Sequence, residues 1–406
     1  MDPADLRQVE QADVYLDDEL VGALTRGAAD SISFDYLPAE DTPQTPVRDR
    51  SVAWSLLRSA PYPVETTGGA VPPFFAGLLP EGVRLGVLTS STKTSPDDHL
   101  TLLLAVGADT IGNVRVVPAG YPLPQRLPMF DPDTDTDFSA VFTRLTGSLD
   151  ADPVALAGVQ PKVSAAMLSA PTQTSAGPAI LKLNPARYPR IVDNEHFFMS
   201  VAAACGLRVA KTTVLQDDNG NRALLVTRFD RDGQRHIAQE DACQVAGIYP
   251  ASKYRMKTED AIAVLSEASA RGGGSRTVAA LELLKTVVFS WLIGNGDLHG
   301  KNLSIFNPAG IWQPTPAYDL LSTQPYTGWK DPMALNLFGR ANRLDRSHFL
   351  DAAARLGLRE RATAKMIDTL IDGAEPWPKR CGDIGFDDWQ TTLLADMLSA
   401  RINTLR

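Results

Sequence analysis

The sequence predicts an α+β protein of two lobes with a small mixed module ahead of them. Three observations carry this. Strand-like apolar runs dominate the middle of the chain to about residue 256, long apolar runs at helical spacing dominate the rest, and a Pro- and Asp-rich segment at 118–138 sets the first module apart. At 406 residues the chain has room for two or three domains, expected at 1–120, 121–256 and 257–406.

The first module begins with VYLDDELVGAL (14–24), two apolar runs around an acidic turn at Asp17–Asp18, which reads as a hairpin. SISFDYL (31–37) alternates at period two and suits a third strand, and SVAWSLL (51–57) is helix-like. PPFFAGLLPEG (72–82) is broken up by prolines and aromatics, DDHLTLLLAVG (97–107) reads as a capped helix, and GNVRVVP as a closing strand. In the second module KVSAAML (162–168), AILKL (179–183), TTVLQ (212–216) and ALLVTRF (223–229) are strand-like. One helix, 194–207, interrupts them and ends near Gly206. From 257 onward DAIAVLSEAS and TVAALELLKTVVFSWLIG are helical, with a flexible break at 269–276 between them. The second is apolar enough to be a central buried helix. Further helical stretches are expected around 347–374 and 387–404, and a strand at LSIF.

A net charge of −9 argues against a chain that grips nucleic acid with its own surface, since that contact needs clustered Lys and Arg to displace counterions. An acidic surface is compatible with a basic partner. Cys205, Cys243 and Cys381 lie far apart with no CxxC pair, so neither a zinc site nor a disulfide framework is expected. The start lacks a basic and apolar leader pattern, and the apolar runs 101–106 and 287–293 fall short of the ~20 residues a membrane span needs. A cytoplasmic location without a membrane partner is expected.

The densest chemistry lies in GNGDLHGKNLSIF (294–306), where Asp297 and Asn302 stand five residues apart. Phosphoryl transfer to a hydroxyl needs an Asp to orient the hydroxyl and accept its proton, and an Asn one loop away to hold a metal ion. Protein kinases use this spacing. Asp319, in TPAYDLLS, follows where a metal-chelating carboxylate would sit across a short hairpin. Lys182, one charge among the aliphatics of AILKL, suits an ammonium aimed at nucleotide phosphates. Taken singly, each has a structural reading: Lys182 facing solvent from a half-buried strand, Asp319 capping a turn, Asp297 and Asn302 forming a turn after a helix. The four together, in kinase order, favour chemistry. Glu195 is the candidate ion-pair partner of Lys182, or else an acid favoured by a helix dipole. His299 is a phosphate contact or a structural imidazole. No G-x-G-x-x-G loop precedes Lys182. In AGVQPKVSAAML (157–168) a turn at Gly158 and Pro161 offers backbone amides to phosphates instead. Walker A, HExxH and GxSxG motifs are missing from the sequence.

The set FFAGLLPEG, GNVRV, AGVQPK, ILKL, VTRFDR, AQEDACQ, GNGDLHGKN and PAYDLLS, spread from about residue 12 to 360, resembles the HipA family of bacterial serine/threonine kinases, the toxin halves of toxin–antitoxin pairs. The resemblance implies a two-lobed protein-kinase-like fold with an extra N-terminal subdomain and a helical C-terminal lobe. It implies ATP and Mg2+ as cofactors, and a small HipB-like helix-turn-helix antitoxin through which operator DNA is bound. Characterised family members phosphorylate aminoacyl-tRNA synthetases, notably the glutamyl enzyme, and so arrest growth. By position, Asp297 resembles the catalytic base, Asn302 and Asp319 the metal ligands, and Lys182 the phosphate-contacting lysine. Thr227, Arg228 and Phe229 resemble the hinge that meets adenine. Gln239 and His299 resemble further nucleotide contacts, and Gly158 and Lys162 belong to the nucleotide loop.

Two departures stand out. Ala155 occupies the place where family members often carry a serine whose autophosphorylation silences the enzyme. The chain therefore lacks that switch, uses another serine such as Ser164, or carries a substitution there. Thr227 replaces an acidic hinge residue, which keeps backbone bonds to adenine but removes one side-chain contact. The altered loop and acidic surface also suit a catalytically weak co-repressor that binds the antitoxin, and a small-molecule phosphotransferase is a third reading.

Overall fold

The protein is described by a computed structural model, covering residues 2–38, 51–123, 136–141, 167–174, 177–185 and 187–406. Its N-terminal subdomain is an antiparallel sheet of β1 (Gln11–Leu16), β2 (Glu19–Arg26), β3 (Ile32–Tyr36), β4 (Val64–Thr66) and β5 (Val114–Pro118), in the order β4-β3-β2-β1-β5. The expected hairpin turns at Asp17, which takes a positive φ of 56°. Apolar residues of the sheet, Val14, Leu24, Ile32 and Phe34, pack against Leu100, Leu102 and Leu103 of the capped helix α3 (His99–Val106). Between them lie α1 (Pro73–Gly77) and α2 (Gly82–Thr92), the second of which the sequence reading passed over.

The helix expected at 51–57 is absent. The backbone N–H of Val52 donates to the Tyr36 hydroxyl at 2.7 Å, that hydroxyl donates to the Leu56 carbonyl at 2.6 Å, and the Trp54 N–H donates to the Glu240 carboxyl at 3.0 Å. These tertiary partners hold the segment instead as a tight turn with an Ala53–Leu56 bridge.

The second sheet comprises β6 (Leu168–Thr174), β7 (Gly177–Leu183), β8 (Thr212–Gln216) and β9 (Arg222–Thr227), in the order β6-β7-β9-β8. The expected strand at 162–168 lies mostly outside the described residues. In β7, Ala179, Leu181 and Leu183 are buried on one face. By strand alternation, Ile180 and Lys182 point to the other face. The helix expected at 194–207 is α4 (Ile191–Ala204), which starts three residues earlier and carries Glu195 in its second turn.

The remainder is mainly helical. Two small sheets precede or punctuate it: β10 (Arg231–Asp232) with β11 (Arg235–His236), and β12 (Gln239–Asp241) with β13 (Ser304–Phe306) and β14 (Gln313–Pro314). Around them run α5 (Ala242–Ala246), α6 (Thr258–Arg271), α7 (Arg276–Ile293), α8 (Gln324–Thr327), α9 (Arg346–Arg355), α10 (Glu360–Ala374) and α11 (Asp388–Leu405). The stretch expected around 347–374 is two helices, divided at Gly357, which takes a positive φ of 76°. Helix α7 is the central one: Leu284, Val287, Val288, Phe289, Leu292 and Ile293 are fully buried. No described helix is long and apolar enough to cross a membrane, and the three cysteines are free and buried.

Candidate active site

The site begins where α7 must stop. Gly294 adopts a left-handed φ of 73°, which ends the helix and turns the chain into the loop carrying Asp297 and Asn302. Gly296 is required by contact: a Cβ there would run into the Asp331 carboxylate and the Thr323 hydroxyl. The Thr323 hydroxyl accepts the Gly296 N–H at 2.9 Å and donates to Asp331 at 2.6 Å, fastening the loop from behind.

Within the loop, the Asn295 side-chain oxygen accepts the Asp297 N–H at 2.9 Å, and the Asn302 side-chain oxygen accepts the His299 N–H at 3.0 Å. Asn302 in turn donates to Asp319 Oδ2 at 2.9 Å. The other oxygen of Asp319 accepts from Lys182 Nζ at 3.0 Å. Lys182 also donates to both carboxylate oxygens of Glu195, at 2.7 and 2.9 Å. Residues from β7, α4, the 297–302 loop and the segment after β14 thus meet in one hydrogen-bonded chain.

Electrostatics match this geometry. Burial works against the Lys182 ammonium, but the carboxylates of Asp319 and Glu195 outweigh it and raise its pKa. Burial likewise opposes the Asp319 carboxylate, and Lys182 beside it holds its pKa below the usual range. Asp319 has a positive φ of 58°, backbone strain located where the carboxylate is aimed. Burial pushes His299 down to about 3, so its imidazole is neutral at ordinary pH, and its ring meets Tyr254 edge-on at 5.1 Å.

A cavity of about 310 Å³ opens between the sheet and the helical part. Thr227, Phe229 and Gln239 line it along with Lys182, Glu195 and Asp319. An adjoining cavity of about 290 Å³ is lined by Lys182, His299, Asn302, Lys301 and Asp319. Asp297 lines neither. It is buried, and its Oδ1 accepts from the Tyr254 hydroxyl at 2.8 Å. Gly158 and Lys162, with Ala155 and Ser164, lie outside the described residues.

Among the described residues no group of three or more His, Cys, Asp and Glu side chains could hold a metal ion by itself. The oxygens of Asn302 and Asp319 still suit Mg2+, which is commonly held by one or two protein oxygens with phosphates and water filling its octahedron.

Sequence reasoning missed two residues of the site, Glu81 and Tyr254, and the partners of a third, Arg228, which it placed in the hinge. Glu81, in the FFAGLLPEG run, pairs with Lys253 and with Lys301 Nζ, the latter at 3.0 Å. Tyr254 reaches Asp297 from a segment before α6. Arg228, buried, forms a two-pronged pair with Asp230 at 2.9 and 2.8 Å and also bonds Asp109 at 2.9 Å, which ties the segment after β9 to the N-terminal subdomain. Only Glu81 and Arg228 lay in motifs already singled out, and neither motif indicates its partner.

Comparison with known proteins shows the family. The HipA-like C-terminal domain family matches residues 154–377, over half the chain, and the HipA N-terminal domain family matches residues 12–117. The chain belongs to the HipA family. Two Sinorhizobium fredii proteins named as candidate kinases are similar to it. Y4mE is 29% identical over 98% of this chain and 99% of its own, and Y4dM is 32% identical over 75% of each. The serine/threonine-protein kinase toxin HipA of Shewanella oneidensis is 28% identical over 80% of this chain and 77% of its own. A solved structure of HipA with HipB and operator DNA from that organism superposes with a TM-score of 0.75 over 97% of both chains, at 22% identity. This HipA-family protein is a serine/threonine protein kinase of the toxin–antitoxin type, with the mixed α+β fold and N-terminal sheet subdomain expected.

Proposed function

We propose that this HipA-family kinase is the toxin of a toxin–antitoxin pair. It moves the γ-phosphate of ATP to a serine or threonine hydroxyl of a translation component, such as an aminoacyl-tRNA synthetase, and arrests growth from the cytoplasm. The observation that carries the catalytic part is the Lys182–Glu195 pair closed at 2.7 Å, with Asp319 and Asn302 on the same hydrogen-bonded chain. A kinase needs that lysine–glutamate pair and its metal-binding carboxylate in place together before it turns over.

In this reading Asp297 accepts the proton of the attacking hydroxyl. Asn302 and Asp319 hold Mg2+, which when bound neutralises charge on the β- and γ-phosphates. Lys182, positioned by Glu195, contacts the phosphates. Thr227, Phe229 and Gln239 receive the nucleoside, His299 adds a neutral contact, and Gly158 and Lys162 are further nucleotide contacts. The work is divided among residues 1–120, 121–256 and 257–406. Because the site orients groups in advance, most of its catalytic effect is positioning and electrostatics.

Transfer from radiolabelled ATP tests the assignment. Asp297→Gln and Asp319→Asn are expected to abolish transfer while leaving the unfolding transition in place; retained transfer in either overturns it. A HipB-like helix-turn-helix antitoxin is the proposed partner, linking the kinase to operator DNA, supported by the assembly named for the Shewanella structure. A catalytically weak co-repressor is the competing reading, and the intact lysine–glutamate pair weighs against it. Affinity for ATP with magnesium separates the two, because a co-repressor has no need of it.

A further inference from the structure

One cation of the cleft has neither a part in the mechanism above nor a carboxylate partner among the described residues. Arg84 lies on α2, three residues after Glu81, and lines both cavities, at the end they share with Lys182 and Asp319. The lysines around it each have a carboxylate: Lys182 has Glu195 and Asp319, while Lys253 and Lys301 share Glu81. Among the described residues Arg84 has no hydrogen-bond or ion-pair partner. Asp109, the acid whose charge favours the guanidinium, is bonded instead to Arg228 and Arg231, each at 2.9 Å. Burial lowers the Arg84 pKa, and the charge of nearby Asp109 offsets only part of this. A second unsatisfied group faces the same region: Nδ1 of His299, in the adjoining cavity, is buried with no hydrogen-bond partner.

A half-buried guanidinium kept beside two cavities is best compensated by an anion that arrives with the ligand. The guanidinium fork matches phosphate oxygens and carries charge at any working pH. We propose that Arg84 is a phosphate-binding residue lent to the active site by the N-terminal subdomain, donating charge-assisted hydrogen bonds to the triphosphate of bound ATP beside Lys182. This rests on the kinase reading above. It gives the FFAGLLPEG run two tasks: Glu81 holds the catalytic loop's lysine, and Arg84, one turn on, meets the nucleotide. Nucleotide affinity thereby depends on the subdomain being docked.

Calorimetric titration of the full chain with magnesium-ATP and, separately, with adenosine tests this. Arg84→Ala is expected to weaken ATP binding roughly tenfold to a hundredfold while leaving adenosine binding unchanged, as loss of charge-assisted bonds would. Arg84→Lys, which keeps the charge without the fork, is expected to fall between. ATP binding by Arg84→Ala within twofold of the unsubstituted chain overturns the assignment alone. Equal weakening toward ATP and adenosine also overturns it, since that marks a structural loss. An unsubstituted chain that binds adenosine and ATP alike, or neither, overturns the kinase reading along with it.

Discussion

Replacing Glu81 by Gln removes the carboxylate that pairs with Lys253 and Lys301, and so loosens the N-terminal subdomain from the 297–302 loop. Burial opposes the Glu81 charge, but Lys301 and Lys253 hold its pKa at about 2, against an ordinary 4.5. At about 1.4 kcal/mol per pH unit, that depression amounts to roughly 3 kcal/mol of stability at neutral pH. The side chain is 32% exposed, so solvent screening reduces this to about 2 kcal/mol. A depressed carboxyl contributes in full above its unfolded pKa and loses its contribution as pH falls. The window is therefore 4.5 down to about 2. Urea unfolding of both proteins at pH 7, 5 and 3 measures the effect, with amide exchange in the 297–302 loop as a local readout. The variant is expected to be less stable by about 2 kcal/mol at pH 7 and 5, with the gap narrowing at pH 3. Equal stability at pH 7, or a gap undiminished at pH 3, refutes the reasoning.

Other perturbations follow from the same interactions. Burial pushes the Glu240 carboxyl up to about 8, against the Trp54 N–H that it accepts. A raised carboxyl pKa favours folding below the unfolded value of 4.5, and that advantage is lost as pH rises toward 8. Glu240→Gln keeps an acceptor for Trp54 and is expected to remove this slope, about 1.4 kcal/mol per pH unit at most. Unfolding free energies at pH 5 and 8 that change in parallel for the two proteins exclude it. Tyr254→Phe deletes the hydrogen bond to Asp297. Neither residue lines the cavities, so kcat is expected to fall about tenfold with KM for ATP unchanged. A variant with unaltered kcat shows that Tyr254 does not position Asp297 for the proposed proton transfer.

Much of the site was legible because local pattern and chemistry coincide there. Strand alternation turned Lys182 away from Leu181 and Leu183, and Gly294 ended a helix just before Asp297. The pairing of Lys182 with Glu195 joins residues only 13 apart, on a strand and the helix that follows it. The expected helix at 51–57 failed for the opposite reason. The segment is instead docked as a turn on Tyr36 and on Glu240, which lies 186 residues from Trp54. No window around 51–57 contains that partner.

The amino-acid order alone determined the strands of the N-terminal hairpin, the buried helix α7, and the four polar residues in kinase order, because each follows from spacing within a few turns of chain. Tertiary structure decided the rest: that Glu81 meets Lys253 across 172 residues, that Tyr254 reaches Asp297, and that Arg84 faces the cleft with no partner among the described residues. Charge pairing out of water is strong only at contact distance. Which charges touch is fixed when separate apolar faces pack together, and no spacing along the chain encodes it.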